Sequence, residues 1–127
     1  MAIVAEITEI IATPSPASPG QVVNVRAKAK NLGLAPGGYN YIALTGVVDS
    51  AALPFTPDYQ YADAQAVVEF DASFTMPAKK TRVTVYSWYW DFGINTWVFD
   101  DQKYIDIEVA ELAPAISEFA ISDYMKC

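Results

Sequence analysis

Hydrophobic and polar residues alternate along several short segments, most clearly across residues 65–90. One face of the first half of this stretch is entirely apolar, with Ala66, Val68, Phe70, Ala72 and Phe74. A period of two is typical of a half-buried antiparallel strand. Residues 81–90 follow a short corner at residues 76–80. They are β-branched and aromatic almost throughout, which also favours a strand.

The same alternation predicts further strands over Ile3–Ala12, Gln21–Lys30, Tyr39–Val48, Thr96–Phe99 and Gln102–Val109. In the first of these, Ala5 and Ile7 would face inward, with Glu9 on the same side. Residues 49–64 are expected to form a long connection with at most a short edge strand. Residues 91–95 would form a hairpin loop, and Asp100–Asp101 a turn.

No segment shows a sustained helical period, and turn signals recur every 8–12 residues or so, as in sandwich folds. The sequence therefore predicts an all-β fold, an immunoglobulin-like two-sheet antiparallel sandwich of about seven strands. We place the sandwich at residues 1–111 and a C-terminal tail at residues 112–127.

Length, composition and net charge limit the number of domains and the kinds of partner that the chain can have. The 127 residues suit one domain, and a hydrophobic content of 53% argues against disorder. A net charge of -7 argues against a nucleic acid or an anionic membrane as partner. The basic run Arg26, Lys28 and Lys30 alternates with apolar residues, which indicates the solvated face of a strand.

Catalytic and metal-binding signals are weak. There is no histidine, and the single cysteine is Cys127, so Ser-His-Asp and Cys-His sites are excluded. No phosphate-binding or nucleophile motif occurs, and we predict neither an enzyme nor a cofactor. Four oxygen-bearing residues surround one hairpin end, namely Asp91, Asn95, Asp100 and Asp101. They lack calcium-loop spacing, which favours a solvated turn over a calcium site and predicts no metal.

The N-terminal residues lack a basic segment, and Glu6 interrupts the apolar run, so no signal peptide is predicted. No apolar run reaches about 18 residues, the length that predicts a spanning helix. We therefore predict synthesis in the cytoplasm without membrane insertion.

Two short motifs resemble known modules. Residues 18–25 (SPGQVVNV) and 29–33 (AKNLG) resemble the CARDB-type immunoglobulin-like module, with its P-G-x-x-V-x-V strand and its N-x-G end. Residues 74–78 (FTMPA), followed by 81–85 (TRVTV), are similar to a corner in bacterial surface-protein repeats. The resemblance implies an immunoglobulin-like sandwich that acts as a spacer or adhesion unit of secreted or surface proteins.

The tail repeats part of the first strand, since residues 115–121 (AISEFAI) can be aligned with residues 6–12 (EITEIIA). Three interpretations remain open: a last strand or short helix on its own domain, a strand added to a neighbouring subunit, or the start of a second module. The tail residues expected at an interface are Ile116, Phe119 and Ile121.

An aromatic stripe is predicted on one side of residues 81–90, where Tyr86, Trp88 and Trp90 share a face. Trp97 and Phe99 would extend the stripe on the return strand. The rings would fill the core, form a protein interface or stack against sugars. Core packing, alone or combined with an interface, is the favoured interpretation, because one inward tryptophan is expected in such folds.

Together these features predict a non-enzymatic structural protein that self-assembles or decorates a larger assembly. The predicted assembly is a virion, with the chain as a capsid decoration or tail-associated component made in the host cytoplasm. Its partners would be copies of itself or a capsid or surface protein. The alternative is a cell-surface or extracellular module for adhesion or carbohydrate binding.

Overall fold

The computed structural model describes residues 4–33 and 39–110, which contain eight β-strands and no helix. The strands are β1 (Ala5–Thr13), β2 (Val22–Asn31), β3 (Asn40–Val48), β4 (Ala51–Pro54), β5 (Gln60–Ala62), β6 (Val67–Thr75), β7 (Thr81–Asp91) and β8 (Thr96–Ile107).

The strands form two antiparallel sheets. One has three strands in the order β1-β2-β6, and the other has five, in the order β4-β3-β7-β8 with β5 also paired to β3. This confirms the predicted immunoglobulin-like sandwich. The structure has eight strands instead of the expected seven or so. The connection after β3 contains two short strands, which pair with successive parts of β3, whereas the two strands predicted after residue 95 are one continuous strand, β8.

Two local expectations are wrong, and a β-bulge accounts for each. The turn expected at Asp100–Asp101 lies inside the continuous strand β8, where the register with β7 shifts between Tyr86 and Trp88. In β1 the register shifts between Ile7 and Glu9, so Glu9 lies on the exposed face instead of the inward one. Bulges add one residue to a strand and so exchange the faces beyond them.

The core lies between the sheets and consists of the inward residues of both. The predicted inward positions of β2 are buried, namely Val23, Val25, Ala27 and Ala29. Phe70 of β6 is fully buried against them, as the alternation predicts. From the five-stranded sheet, Ile42, Val83 and Val85 complete the contact.

Charged pairs cover the outer face of the three-stranded sheet. Arg26 Nε lies 2.9 Å from Asp71 Oδ1, and Lys28 Nζ lies 3.3 Å from Glu9 Oε1 and 3.6 Å from Glu69 Oε2. The basic run is therefore a solvated strand face, as predicted, and acids on both neighbouring strands partner two of its members. Exposed pairs of this kind contribute about 1 kcal/mol or less each to stability.

The two motifs that carry the family resemblances lie side by side. The N–H of Gly20 donates to the carbonyl of Met76 at 2.8 Å, and the N–H of Met76 donates to the carbonyl of Gln21 at 2.8 Å. Gly20 has a φ of +83°, a conformation that glycine adopts without steric cost. Met76 is buried, which anchors the corner between β6 and β7 to the turn before β2.

Gly46 of β3 lies where an added side chain would clash with its neighbours. A Cβ there would lie 2.8 Å from Phe55 Cε2 and 3.2 Å from the Thr84 carbonyl oxygen. We expect Gly46→Ala to lower the free energy of unfolding by about 1–3 kcal/mol in urea titrations, since a well-packed core resists added volume. The control is Gly93→Ala, whose Cβ would meet only the partly exposed Asp91 side chain, at 3.1 Å. Equal stability of Gly46→Ala and the wild type would contradict this packing.

Candidate binding face

Alternation along β7 places its aromatic residues on the outer side of the five-stranded sheet. Val83, Val85 and Ser87 are each 0% exposed and face the core. Tyr86, Trp88 and Trp90 point the other way and are half-buried among their neighbours on the sheet surface. The interpretation in which these rings fill the core is therefore wrong, because small inward residues already occupy the space between the sheets.

Strand register brings Trp97 and Phe99 onto the same face. Trp97 lies opposite Trp90, and Phe99 lies opposite Trp88. On the other side of β7, Trp88 lies opposite Ala43 and donates its indole N–H to Thr45 Oγ1 at 2.9 Å. The predicted stripe therefore exists as one surface spanning three strands.

Five further rings lie on this face that the predicted stripe does not include: Tyr39, Tyr41, Tyr59, Tyr61 and Phe92. Tyr41 contacts Tyr59, Tyr61 and Phe92 with ring centroids 5.7, 6.0 and 5.9 Å apart. A usable signal was present, since Tyr39 and Tyr41, and Tyr59 and Tyr61, are spaced two apart like Trp88 and Trp90. We call the ten rings the aromatic face: Tyr39, Tyr41, Tyr59, Tyr61, Tyr86, Trp88, Trp90, Phe92, Trp97 and Phe99.

Three adjoining hollows run along the aromatic face. The first, of about 360 Å³, is lined by Tyr41, Tyr59, Trp90 and Trp97. The second, of about 260 Å³, is lined by Ala43, Thr45, Asp58, Tyr59, Trp88 and Trp97. The third, of about 490 Å³, is lined by Thr45, Val47, Tyr86, Trp88, Phe99 and Gln102. Shared lining residues make them one continuous groove with few polar groups, a composition typical of binding sites.

A cation already stacks on an aromatic ring near one end of this sheet. The Arg82 guanidinium carbon lies 3.8 Å from the centroid of the Tyr104 ring. The same guanidinium donates to both carboxylate oxygens of Asp106, at 2.9 and 3.2 Å. Hydrogen bonding to Arg82 lowers the pKa of Asp106, and the positive charge of Arg82 acts in the same direction. Partial burial of the carboxylate has the opposite, smaller effect.

The acidic residues considered as calcium ligands have other roles. Asp100 Oδ2 accepts hydrogen bonds from the N–H groups of Val4 and Ala5, at 2.8 and 2.5 Å. Asp101 Oδ2 accepts one from the N–H of Ile7, at 2.9 Å. These two residues therefore hold β1 against the other sheet, and the expectation that they form a solvated turn is wrong.

Two more side chains complete this contact with β1. Ser87 Oγ donates to the carbonyl of Ala5 at 2.7 Å, and Lys103 Nζ donates to the carbonyl of Ile7 at 2.6 Å. Side chains thus satisfy the backbone groups on the outer edge of β1, which would otherwise be open to strand pairing. Burial raises the pKa of Asp100, the two N–H donors oppose that change, and the charge of Asp101 adds to it.

Within residues 4–33 and 39–110, no group of three or more histidine, cysteine or acidic side chains is placed to hold a metal ion. The same residues contain no helix long and apolar enough to cross a membrane. The predicted tail contacts Ile116, Phe119 and Ile121 lie outside the described residues.

Comparison with known proteins shows similarity at the level of the fold. No family model and no curated protein sequence matches the chain. The ASH/PapD-like domain 7 of human CEP192 is similar in structure, with a TM-score of 0.53 and 9% identity over 88% of this chain and 89% of that one.

Two further solved structures are also similar. The Pseudomonas fluorescens alkylpurine DNA glycosylase AlkC matches with a TM-score of 0.51 and 12% identity, over 86% of this chain but only 32% of that one. WR4, a Caenorhabditis elegans MSP family member, matches with a TM-score of 0.44 and 10% identity over 80% of this chain and 97% of that one. At such identities the likeness concerns the fold alone.

The two shifted carboxyl groups predict opposite pH effects. Because the pKa of Asp100 is raised on folding, its stabilising contribution is present below its unfolded pKa and is lost as pH rises through the folded pKa. Because the pKa of Asp106 is lowered, its contribution is present above its unfolded pKa and is lost as pH falls. We therefore expect Asp100→Asn to gain stability relative to wild type between about pH 3 and about pH 7, and Asp106→Asn to lose it.

Urea unfolding at both pH values measures these differences. Each variant is compared with the wild type at the same pH, so that titration of all other groups cancels. Changes of the same sign for Asp100→Asn and Asp106→Asn would contradict the assignment.

Proposed function

We propose that this chain is a non-enzymatic structural module that joins a larger assembly through its aromatic face. The observation that carries the proposal is the concentration of ten aromatic rings on the outer side of one sheet, among them Trp88, Trp90 and Trp97. Tyrosine and tryptophan are enriched at the energetic centres of protein interfaces.

The contrast between the two outer faces supports an interface on one side only. Ion pairs of Arg26 and Lys28 lie on the three-stranded sheet, where the exposed apolar residues Ile11, Val22 and Val67 are aliphatic. On the other sheet the exposed apolar residues are aromatic, with Tyr59, Tyr61 and Phe99 at 54, 54 and 48% exposed. Large contiguous apolar patches are rare on the surfaces of monomers and mark interaction sites.

The assembly that we propose is a virion, in which the chain serves as a capsid decoration or tail-associated protein. A subunit on the outside of a particle needs one surface that attaches and one that stays solvated. The aromatic face and the charged face fit these two needs. The partners proposed are copies of this chain or a capsid or surface protein.

A second candidate function is carbohydrate binding by a cell-surface or extracellular module. Its support is the groove formed by the three hollows, since aromatic rings next to the polar groups of Asp58 and Gln102 suit sugar rings and their hydroxyls. An oligosaccharide screen that gave saturable binding, lost in Trp88→Ser, would favour this function over the first.

Self-association of the full chain tests the first proposal. We expect sedimentation velocity to show concentration-dependent oligomers that Trp88→Ser weakens at least about thirtyfold in Kd, the effect of losing a central aromatic contact worth about 2 kcal/mol. The matched control is Glu69→Ser on the charged face, which should leave the oligomers unchanged. A monomer at every concentration, or equal effects of the two substitutions, would contradict self-assembly through the aromatic face.

A further inference from the structure

The first hollow of the aromatic face is built from four rings that meet at steep angles. Trp90 and Trp97 have centroids 5.4 Å apart with planes at 77°. Trp97 and Tyr59 are 6.0 Å apart at 51°, and Tyr59 and Tyr41 are 5.7 Å apart at 85°. The lining of the hollow therefore presents ring faces and ring edges in several orientations.

This geometry favours one class of guest. The faces of aromatic rings carry negative potential, so a cation placed against several of them is attracted by each. A guanidinium plane, or the flat C–H face of a sugar ring, stacks best on a parallel ring plane, and the neighbouring rings of this hollow are not parallel to one another. A compact ammonium group has no such requirement, and Trp90 and Trp97 are the strongest type of partner for it.

Charge complements the rings. Asp58 lines the adjoining hollow together with Tyr59 and Trp97, and among residues 4–33 and 39–110 its carboxylate forms no ion pair. The whole chain carries a net charge of -7, which attracts a cationic partner over a longer range. Arg82 over Tyr104 shows that a cation–ring contact forms on this sheet.

We propose that the hollow lined by Tyr41, Tyr59, Trp90 and Trp97 binds the ammonium group of a lysine side chain of a partner protein. This inference rests on the proposed function, because it names the group with which the partner would engage the aromatic face. The lysine stem would lie along the apolar groove, and its charged end would face the rings and Asp58.

The test is a titration of the full chain followed by the NMR signals of the Trp90 and Trp97 indole N–H groups. The probes are N-acetyl-lysine methylamide and its neutral counterpart N-acetyl-norleucine methylamide, which has a similar stem without the ammonium group. We expect the lysine probe to bind at least about tenfold more tightly, and its advantage to shrink as salt is added.

Substitutions in and beside the hollow test whether the preference for the lysine probe arises there. Tyr59→Leu should abolish the preference for lysine, and Asp58→Asn should reduce it about threefold or more, a modest change as expected for an exposed charge. The matched control is Tyr61→Leu, because Tyr61 is as exposed as Tyr59, at 54%, and does not line the hollow. Retention of the preference in Tyr61→Leu and its loss in Tyr59→Leu would support the site.

Three results would overturn the inference. Equal affinity for the two probes would mean that the hollow recognises apolar surface alone. Choline binding tenfold or more tightly than the lysine probe would assign the hollow to a free quaternary ammonium compound. Displacement of the lysine probe by an oligosaccharide would assign it to sugars. The proposed function fails separately, since a chain that remains monomeric and still prefers the lysine probe keeps the cation site but loses self-assembly.

Discussion

The alternation of side chains along β7 is the constraint on which the rest of the structure depends. β7 lies between β3 and β8, so its inward residues set the depth of the core and its outward residues set the surface of the larger sheet. Val83, Val85 and Ser87 are small enough to let the three-stranded sheet approach. The bulky rings of Trp88 and Trp90 must therefore lie outside, where the register with Ala43 and Trp97 gives them neighbours.

The bulge in β8 determines which side chains lie on each face of this sheet. Phe99 lies opposite Trp88, and Gln102 lies opposite Tyr86, so β8 uses three steps where β7 uses two. This extra residue keeps Trp97 and Phe99 on the outer face together with Tyr104. It also turns the carboxylates of Asp100 and Asp101 toward β1, whose edge they hold with Ser87 and Lys103. One irregularity thus links the sheets and preserves the aromatic face.

The sequence predicts most of the fold because strand alternation is a local property. The alternation of Val68 and Phe70, and of Val23 and Val25, identifies inward faces that the structure confirms. Bulges are not local in this sense, since the second residue of a bulge is defined only by the partner strand. The change of face at Asp100–Asp101 therefore suggests a turn from sequence, and only pairing with β7 shows that the strand continues.

The candidate site was predictable in part for the same reason. Tyr86, Trp88, Trp90 and Trp97 could be placed on one face from their spacing, but whether that face points inward depends on what the other sheet supplies. Tyr61 belongs to the short strand β5 and Tyr59 directly precedes it, and the pairing of β5 with β3 is set by tertiary structure. The contribution of Tyr59 to the first hollow depends on that pairing, which the spacing of the two tyrosines alone does not determine.

We propose that the aromatic face is the surface covered when the chain assembles. Oxidative footprinting of side chains, read by mass spectrometry on the full chain at low and high concentration, tests it most directly. We expect Trp88, Trp97 and Phe99 to become several-fold less reactive at high concentration, with Ile11 and Val22 of the three-stranded sheet unchanged. Protection of the three-stranded sheet with unchanged reactivity of the aromatic face would contradict the claim.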